Sequence, residues 1–133
     1  MTRYKLELEE EEEFQIIAIC CHEKDYRLCW KLNKACRLDM ERVEPGELNT
    51  EINSLYSYYA DEDQTCYALI ANRNEDGWLL PKHKQVDYFF TLCDPQQKPI
   101  KEVVEKIRNI KNVLAVYEME LNDHKSREKL TIV

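Results

Sequence analysis

Glycine is scarce in this chain, with Gly46 and Gly77 its only two. Loops that cradle phosphates need several glycines at fixed spacing so that backbone N–H groups can approach the anion, so neither a G-x-G-x-x-G nor a Walker-type loop exists here. There is no G-x-S-x-G elbow and no H-E-x-x-H pair, which removes two common routes to hydrolysis. No stretch reaches the ~18 consecutive apolar residues of a membrane-spanning helix. The opening residues MTRYKLELEEEEEF hold no continuous apolar segment of the signal-peptide kind. The expected address is the cytoplasm, with no membrane partner.

Positive charge is also in short supply. The formal net charge of −7 repels phosphate backbones, so nucleic acid is not an expected partner. The stretch His124-Lys125-Ser126-Arg127-Glu128-Lys129 is locally basic, but it is short and has no interleaved aromatic residue, and it reads as a solvated tail.

Cysteine is present, six in all, yet no C-x-x-C pair exists to grip a zinc ion. With no secretion signal, the cysteines read as reduced thiols. Cys29 and Cys36 lie two helical turns apart, about 10.5 Å along an axis and beyond disulfide reach. Cys20-Cys21-His22 is the one cysteine–histidine cluster and reads as buried or half-buried thiols. No metal and no cofactor is expected. His22, His83 and His124 are far apart in sequence and read as surface imidazoles, and nothing in the sequence argues for an activated Cys93.

What is there is enough for one domain spanning 1–133, long enough to bury a core without staples. Arg3–Leu8 alternates as a half-buried strand does, and the acidic run Glu9–Glu13 reads as a solvated connection or a helix's first turn. Phe14–Cys21 fits both a helical stripe and a short buried strand, and the sequence leaves it open. Asp25–Cys36 carries Leu28, Cys29, Leu32, Ala35 and Cys36 at amphipathic-helix spacing. Leu38–Val43 reads as a short edge-like strand before Pro45-Gly46. Ile52–Ala60 and Gln64–Arg73 read as a hairpin around Asp61-Glu62-Asp63. Asn72–Gly77 is a loop, with Gly77 free to take positive φ.

Val86–Leu92 reads as the next strand, and Pro99 suits the first position of a helix over Ile100–Ile110. Val113–Leu121 follows as a strand, with Val113, Ala115, Tyr117, Met119 and Leu121 expected on one face. The order predicts an α+β fold: a mainly antiparallel sheet of five to six strands with two main helices on one face. The terminal strand–helix–strand resembles a split βαβ or a small ligand-binding domain of the ACT type.

The stretch LLPKHKQVDYFF concentrates the candidate residues, Pro81, Asp87, Tyr88 and Phe89. Strand alternation puts Val86, Tyr88, Phe90 and Leu92 on one face and Asp87, Phe89, Thr91 and Cys93 on the other. A carboxylate among aromatic residues must be paired or hydrogen-bonded, because an unpaired buried charge costs several kcal/mol. Arg73, Lys82, Lys84 and backbone N–H groups of the preceding loop are the candidate partners. The favoured reading makes Asp87 a structural brace, and the alternative a binding or catalytic carboxylate. Tyr56, Tyr58, Tyr59, Tyr67, Tyr88 and Tyr117 put aromatic rings on both sheet faces, as core residues or as a docking surface.

The same stretch resembles the signature of the IPExxxVDY family of small bacterial proteins. Leu80 takes the isoleucine slot, Pro81 the proline, and Val86-Asp87-Tyr88 the closing triplet across an intact gap. Lys82 stands where the family has glutamate, so no carboxylate role carries over to that position. Asp25-Tyr-Arg-Leu-Cys-Trp-Lys-Leu-Asn33 is similar to the same family, whose likeness extends over nearly the whole chain and implies no assigned activity. The leading expectation is a non-catalytic protein–protein interaction module or homodimer that uses an exposed aromatic sheet face. A small-metabolite sensor or carrier, with a pocket between the sheet and the loop ending at Pro81, is the alternative. An enzyme using Asp87 and a tyrosine such as Tyr88 comes third.

Overall fold

A computed structural model describes residues 14–43, 55–60, 65–74, 77–93, 100–121 and 124–130. The expected strand Arg3–Leu8, the acidic run Glu9–Glu13, Pro45-Gly46, the Asp61–Asp63 turn and Pro99 lie outside the described residues.

Burial settles the segment that the sequence leaves open. Gln15–Cys21 is a strand, β1, in which Ile16, Ile17, Ala18 and Ile19 are all buried. A strand covered on both faces loses its alternation and reads as a plain apolar run. Asp25–Cys36 forms helix α1 with Leu28, Cys29 and Leu32 inward, and Asp25 in the first turn suits the helix dipole. It ends where Arg37 takes a left-handed φ of 56°. Asn33 fixes the exit: its Nδ2 donates to Met40 O at 3.1 Å while Met40 N–H donates to Asn33 Oδ1 at 3.0 Å.

The remaining strands are β2 (Glu41–Val43), β3 (Leu55–Ala60), β4 (Thr65–Ala71), β5 (Arg73–Asn74), β6 (Gly77–Trp78), β7 (Tyr88–Cys93) and β8 (Val113–Met119). Helix α2 spans Ile100–Arg108 and α3 spans His124–Lys129. The main sheet has the order β2-β3-β4-β7-β1-β8, and every pair in it is antiparallel. β5 and β6 form a separate small ribbon, where Gly77 has a φ of 142°.

Because β7 and β8 both run against β1, they are parallel to each other with β1 between them, and α2 makes the crossover. β1 and β4 are related in the same way across β7, with α1 in their connection. Two interlocked split βαβ units, the ferredoxin-like arrangement, thus form a four-stranded plait that β3 and β2 extend.

Each face of this sheet has its own core. On one, α1 and α2 cover Ile17, Ile19, Tyr67, Leu69, Tyr88, Phe90 and Val116, with Tyr67 and Phe90 stacked at 6.1 Å. On the other, Ile16, Ala18, Ala68, Ile70 and Phe89 pack under Leu79, Leu80 and Val86 of the loop before β7, and under Leu121 and Leu130. The two main helices do share one face, but the second face is covered too. The solvated tail expected at 124–129 is instead helix α3. Arg127 donates to Phe14 O at 3.4 Å and lies over the Phe14 ring, and Lys129 donates to Leu79 O at 3.3 Å. Leu130, just beyond, is buried and anchors that docking.

Two irregularities correct the expected face assignments. Cys20 pairs with Ala115 but Cys21 with Val113, so Leu114 is an extra residue in β8. The bulge reverses the phase: Val113 and Val116 pack on the helix side, while Met119 and Leu121 pack on the other. The second irregularity sits at the start of β7, where Val86 joins the Phe89 side and not the side of Tyr88 and Phe90.

Candidate functional site

The stretch 79–88 is held by a residue that turn chemistry alone does not single out. Asn72 follows β4, is fully buried, and has every polar group it carries engaged. Its Nδ2 donates to His83 O and Val86 O, both at 2.9 Å, and its Oδ1 accepts from Leu80 N–H at 2.8 Å. Its main chain takes part as well: Asn72 N–H donates to Asp87 O at 3.0 Å, and Leu79 N–H donates to Asn72 O at 2.7 Å. A loop pressed against an apolar sheet must find partners for its amides, since an orphaned buried group costs about 1–3 kcal/mol. One asparagine supplies them here. The 3-10 turn Pro81–His83 then forms between Leu80 and Lys84, with exposed Pro81 at its start.

Asp87 closes the loop onto the sheet. Its N–H donates to Ile19 O at 3.0 Å, although Tyr88 is the residue that faces Ile19 in the ladder. Two residues oppose one, which explains the shifted phase of Val86. Its Oδ2 accepts from Cys21 N–H at 2.8 Å, so the carboxylate continues the β1–β7 ladder past the end of β7. Among the described residues, the expected basic partners Arg73, Lys82 and Lys84 do not bond to it. Its partner is a backbone amide on a strand 66 positions earlier in the chain. Sequence spacing cannot reveal such a contact.

Tyr88 and Phe89 are both buried, on opposite faces of the sheet. Tyr88 O–H donates to Glu23 O at 2.6 Å, and burial, reinforced by Asp25, Cys21, Asp87 and Glu23, pushes its phenol well above the ordinary value. A phenol so disposed stays protonated. The four sequence candidates therefore do not share one cavity: Pro81 is outside, Asp87 is half-buried, and Tyr88 and Phe89 face apart. The interval between sheet and loop, the expected pocket, is filled by Leu79, Leu80, Val86 and Phe89.

Beside Tyr88 lies a second polar knot. The Glu23 carboxylate accepts from Asn112 Nδ2 at 2.6 Å and pairs with Lys31 at 3.3 Å and Arg27 at 3.7 Å. The Asn112 bond, then Lys31 and Arg27, outweigh desolvation and hold the Glu23 carboxyl below its usual value. This ties the β1–α1 loop to the α2–β8 turn, where Asn112 takes a left-handed φ of 77°.

The thiols nearby are poor nucleophiles. Burial first, then the charge of Asp87, raises the Cys20 pKa, and its S–H donates to Gln85 O at 3.1 Å. Burial also raises Cys21 and pushes Cys29 up to about 11. Among the described residues, no three His, Cys, Asp or Glu side chains converge as metal ligands.

Outside these knots, the described surface carries four large uncovered apolar side chains. Leu114 is 66% exposed and Tyr117 39%, both on β8, while Tyr26 and Trp30 on α1 are 57% and 62% exposed. Lys34 sits 5.0 Å from the centre of the Trp30 ring. Tyr67 and Tyr88 belong to the core, so the uncovered aromatic surface is an edge strand and a helix flank. The central sheet face is not part of it. Side chains of Tyr56, Tyr58 and Tyr59 lie outside the description.

β8 is the last strand in the sheet order, and among the described residues no strand pairs with its outer side. β2, at the opposite edge, has three residues, of which Glu41 and Arg42 are exposed. Among the described residues, no helix is long and apolar enough to cross a membrane. No protein-family model matches this chain. No curated protein matches it either.

Proposed function

We propose that this protein is a cytoplasmic, non-catalytic interaction module that self-associates through the outer edge of β8, and that it belongs with the small bacterial proteins of the IPExxxVDY kind. The observation that carries the reading is the pair Leu114 and Tyr117, uncovered on a strand whose outer backbone groups face no described strand. An unpaired strand edge with apolar side chains is a template for another strand. The opposite edge is short and charged, which discourages pairing.

A second copy of the chain suits the β8 edge. Lys111 stands before the strand and Glu118 and Glu120 stand at its end. Antiparallel pairing of two β8 strands about a two-fold axis would bring Lys111 of one copy toward Glu120 of the other and keep the glutamates apart. Asp87 Oδ2 and the Tyr88 hydroxyl, on the enzyme candidates, are occupied in bracing the chain at Cys21 and Glu23.

Size-exclusion chromatography with light scattering tests this. The expected mass is near twice 16.0 kDa. Leu114→Lys combined with Tyr117→Lys is expected to halve it without unfolding the chain. A wild-type chain that stays monomeric at high concentration overturns the reading. A dimer that survives the double substitution but is lost when residues 1–13 are removed would place the contact in that segment instead.

A further inference from the structure

Helix α3 carries Lys125, Arg127 and Lys129 against one acidic residue, Glu128. The whole chain has a net charge of −7, so α3 is a basic spot on an acidic protein. A helix of this length has no stability of its own, because nucleation is costly and too few turns follow to offset it. It is placed by what it touches. Leu130 is buried in the loop-face core, and the bonds of Arg127 to Phe14 O and of Lys129 to Leu79 O are long, at 3.4 and 3.3 Å. Charge near α3 therefore bears on how firmly it stays docked.

Phe14 is where α3 meets the start of the described chain, with the Arg127 guanidinium 4.3 Å from the centre of its ring. Five consecutive glutamates, Glu9–Glu13, come immediately before it. An extended chain covers at most about 18 Å in five residues, while six helical residues span about 9 Å. The acidic run thus begins one residue from the Arg127 contact and is long enough to follow the whole of α3. Like charges packed in a run repel one another, and opposite charge at close range relieves that repulsion. A second group of exposed cations, Arg27 and Lys34 on α1, lies on the helix face of the sheet, whereas Phe14 packs against the loop-face core. Placement therefore favours α3.

We propose that α3 is the docking surface for the acidic run Glu9–Glu13 of the same chain, the two forming an electrostatic clasp that holds α3 on the loop face. Charge complementarity and the point at which the preceding segment joins Phe14 carry the assignment. Lys125, Arg127 and Lys129 supply the positive side. The clasp makes the docking of α3 depend on ionic strength, since salt screens exposed charges beyond about 10 Å at 0.1 M and beyond about 3 Å at 1 M. It does not depend on self-association through β8.

The test uses the full folded chain, as an equal mixture of unlabelled and isotope-labelled molecules. A carbodiimide, which couples carboxylates to amines already in contact, is added, and the linked peptides are mapped by mass spectrometry. The expected products join a glutamate of Glu9–Glu13 to Lys125 or Lys129, with both halves carrying the same label. Hydrogen exchange then measures the consequence. Amides of 124–130 should exchange roughly fivefold faster at about 1 M than at about 0.1 M salt, a modest factor because exposed ion pairs are individually weak. Glu9→Gln through Glu13→Gln together should produce the same rise at low salt and remove the further effect of salt, with the amides of α1 unchanged. Linkage of the run to Lys31 or Lys34 on α1, linkage mainly between differently labelled chains, or no linkage overturns the proposal. So does exchange at 124–130 that responds to neither salt nor substitution. Should the substituted chain not fold, the wild-type linkage map and its salt dependence decide.

Discussion

The two faces of the central sheet are covered by different means. On the helix face, α1 and α2 lay continuous apolar stripes over Ile17, Ile19, Phe90 and Val116, and their backbone groups are satisfied inside the helices themselves. On the loop face, Leu79, Leu80 and Val86 do the same hydrophobic work from a segment with almost no regular structure. That segment satisfies only part of its own backbone, at His83 and Val86 N–H, so Asn72 satisfies Leu79 N–H, Leu80 N–H and the Val86 carbonyl from outside, while Asp87 ties the loop's end to Cys21 N–H on β1. A helix can be buried by side-chain pattern alone, whereas an irregular segment is buried only where specific polar groups meet it.

The largest effect should come from removing the residue on which the loop face depends. Asn72→Ala strands Leu80 N–H and the Val86 carbonyl and leaves the His83 carbonyl with Val86 N–H as its remaining donor, and is expected to destabilise by about 3–5 kcal/mol. Urea unfolding gives the size. Hydrogen exchange should show the amides of 79–87 losing protection first, and if α1 opens along with them the two faces are not separable in this way.

The matching lesion on the helix face is Leu32→Ala, a fully buried leucine. It should cost about 3 kcal/mol by transfer and cavity terms, with no selective opening of the loop. Asp87→Asn comes next, at about 1–2 kcal/mol, because the amide keeps an acceptor oxygen for Cys21 N–H but loses the charge that strengthens the bond. A larger loss than that of Asn72→Ala would reverse the ranking of the two braces.

Alkaline pH should weaken the helix face. The Cys29 thiol ionises near 9.0 when unfolded but only at about 11 when folded, so the folded chain holds the proton that the unfolded chain releases. Stability is intact below about pH 9 and falls as the pH rises toward about 11. Tyr88, also raised, acts with the same sign. Urea midpoints measured across that range should flatten in Cys29→Ala. The smallest change in stability, within about 0.5 kcal/mol, is expected for Leu114→Lys or Tyr117→Lys, whose side chains stand outside both cores. Their effect belongs on the molecular mass.

The helix face was readable because its signals are local. The stripe of Leu28, Cys29 and Leu32 and that of Val104 and Ile107 repeat at helical spacing, and both helices lie where the periodicity puts them. The β3–β4 hairpin was legible for the same reason. The loop face was not. Asn72 sits in NRNEDG, which has the composition of any polar turn, and its bonds reach residues eight to fourteen positions away. Tyr117 and Met119 were placed with Val113 because strict alternation cannot show a bulge, and Leu114 is the residue that interrupts it. The tail became a docked helix because Leu130 finds the second core, a destination absent from its neighbours in sequence.

By itself, then, the sequence determined the class of fold, the positions of both main helices, the antiparallel hairpin and the absence of glycine-rich phosphate loops, because each depends on residues within a few positions of one another. Tertiary structure alone decided that Asp87 answers Cys21, that Asn72 carries the loop, that the second face is closed, and that β8 is left with Leu114 and Tyr117 uncovered. Those outcomes depend on which backbone groups are left unsatisfied once the strands have paired. Strand order brings together residues that the chain keeps far apart.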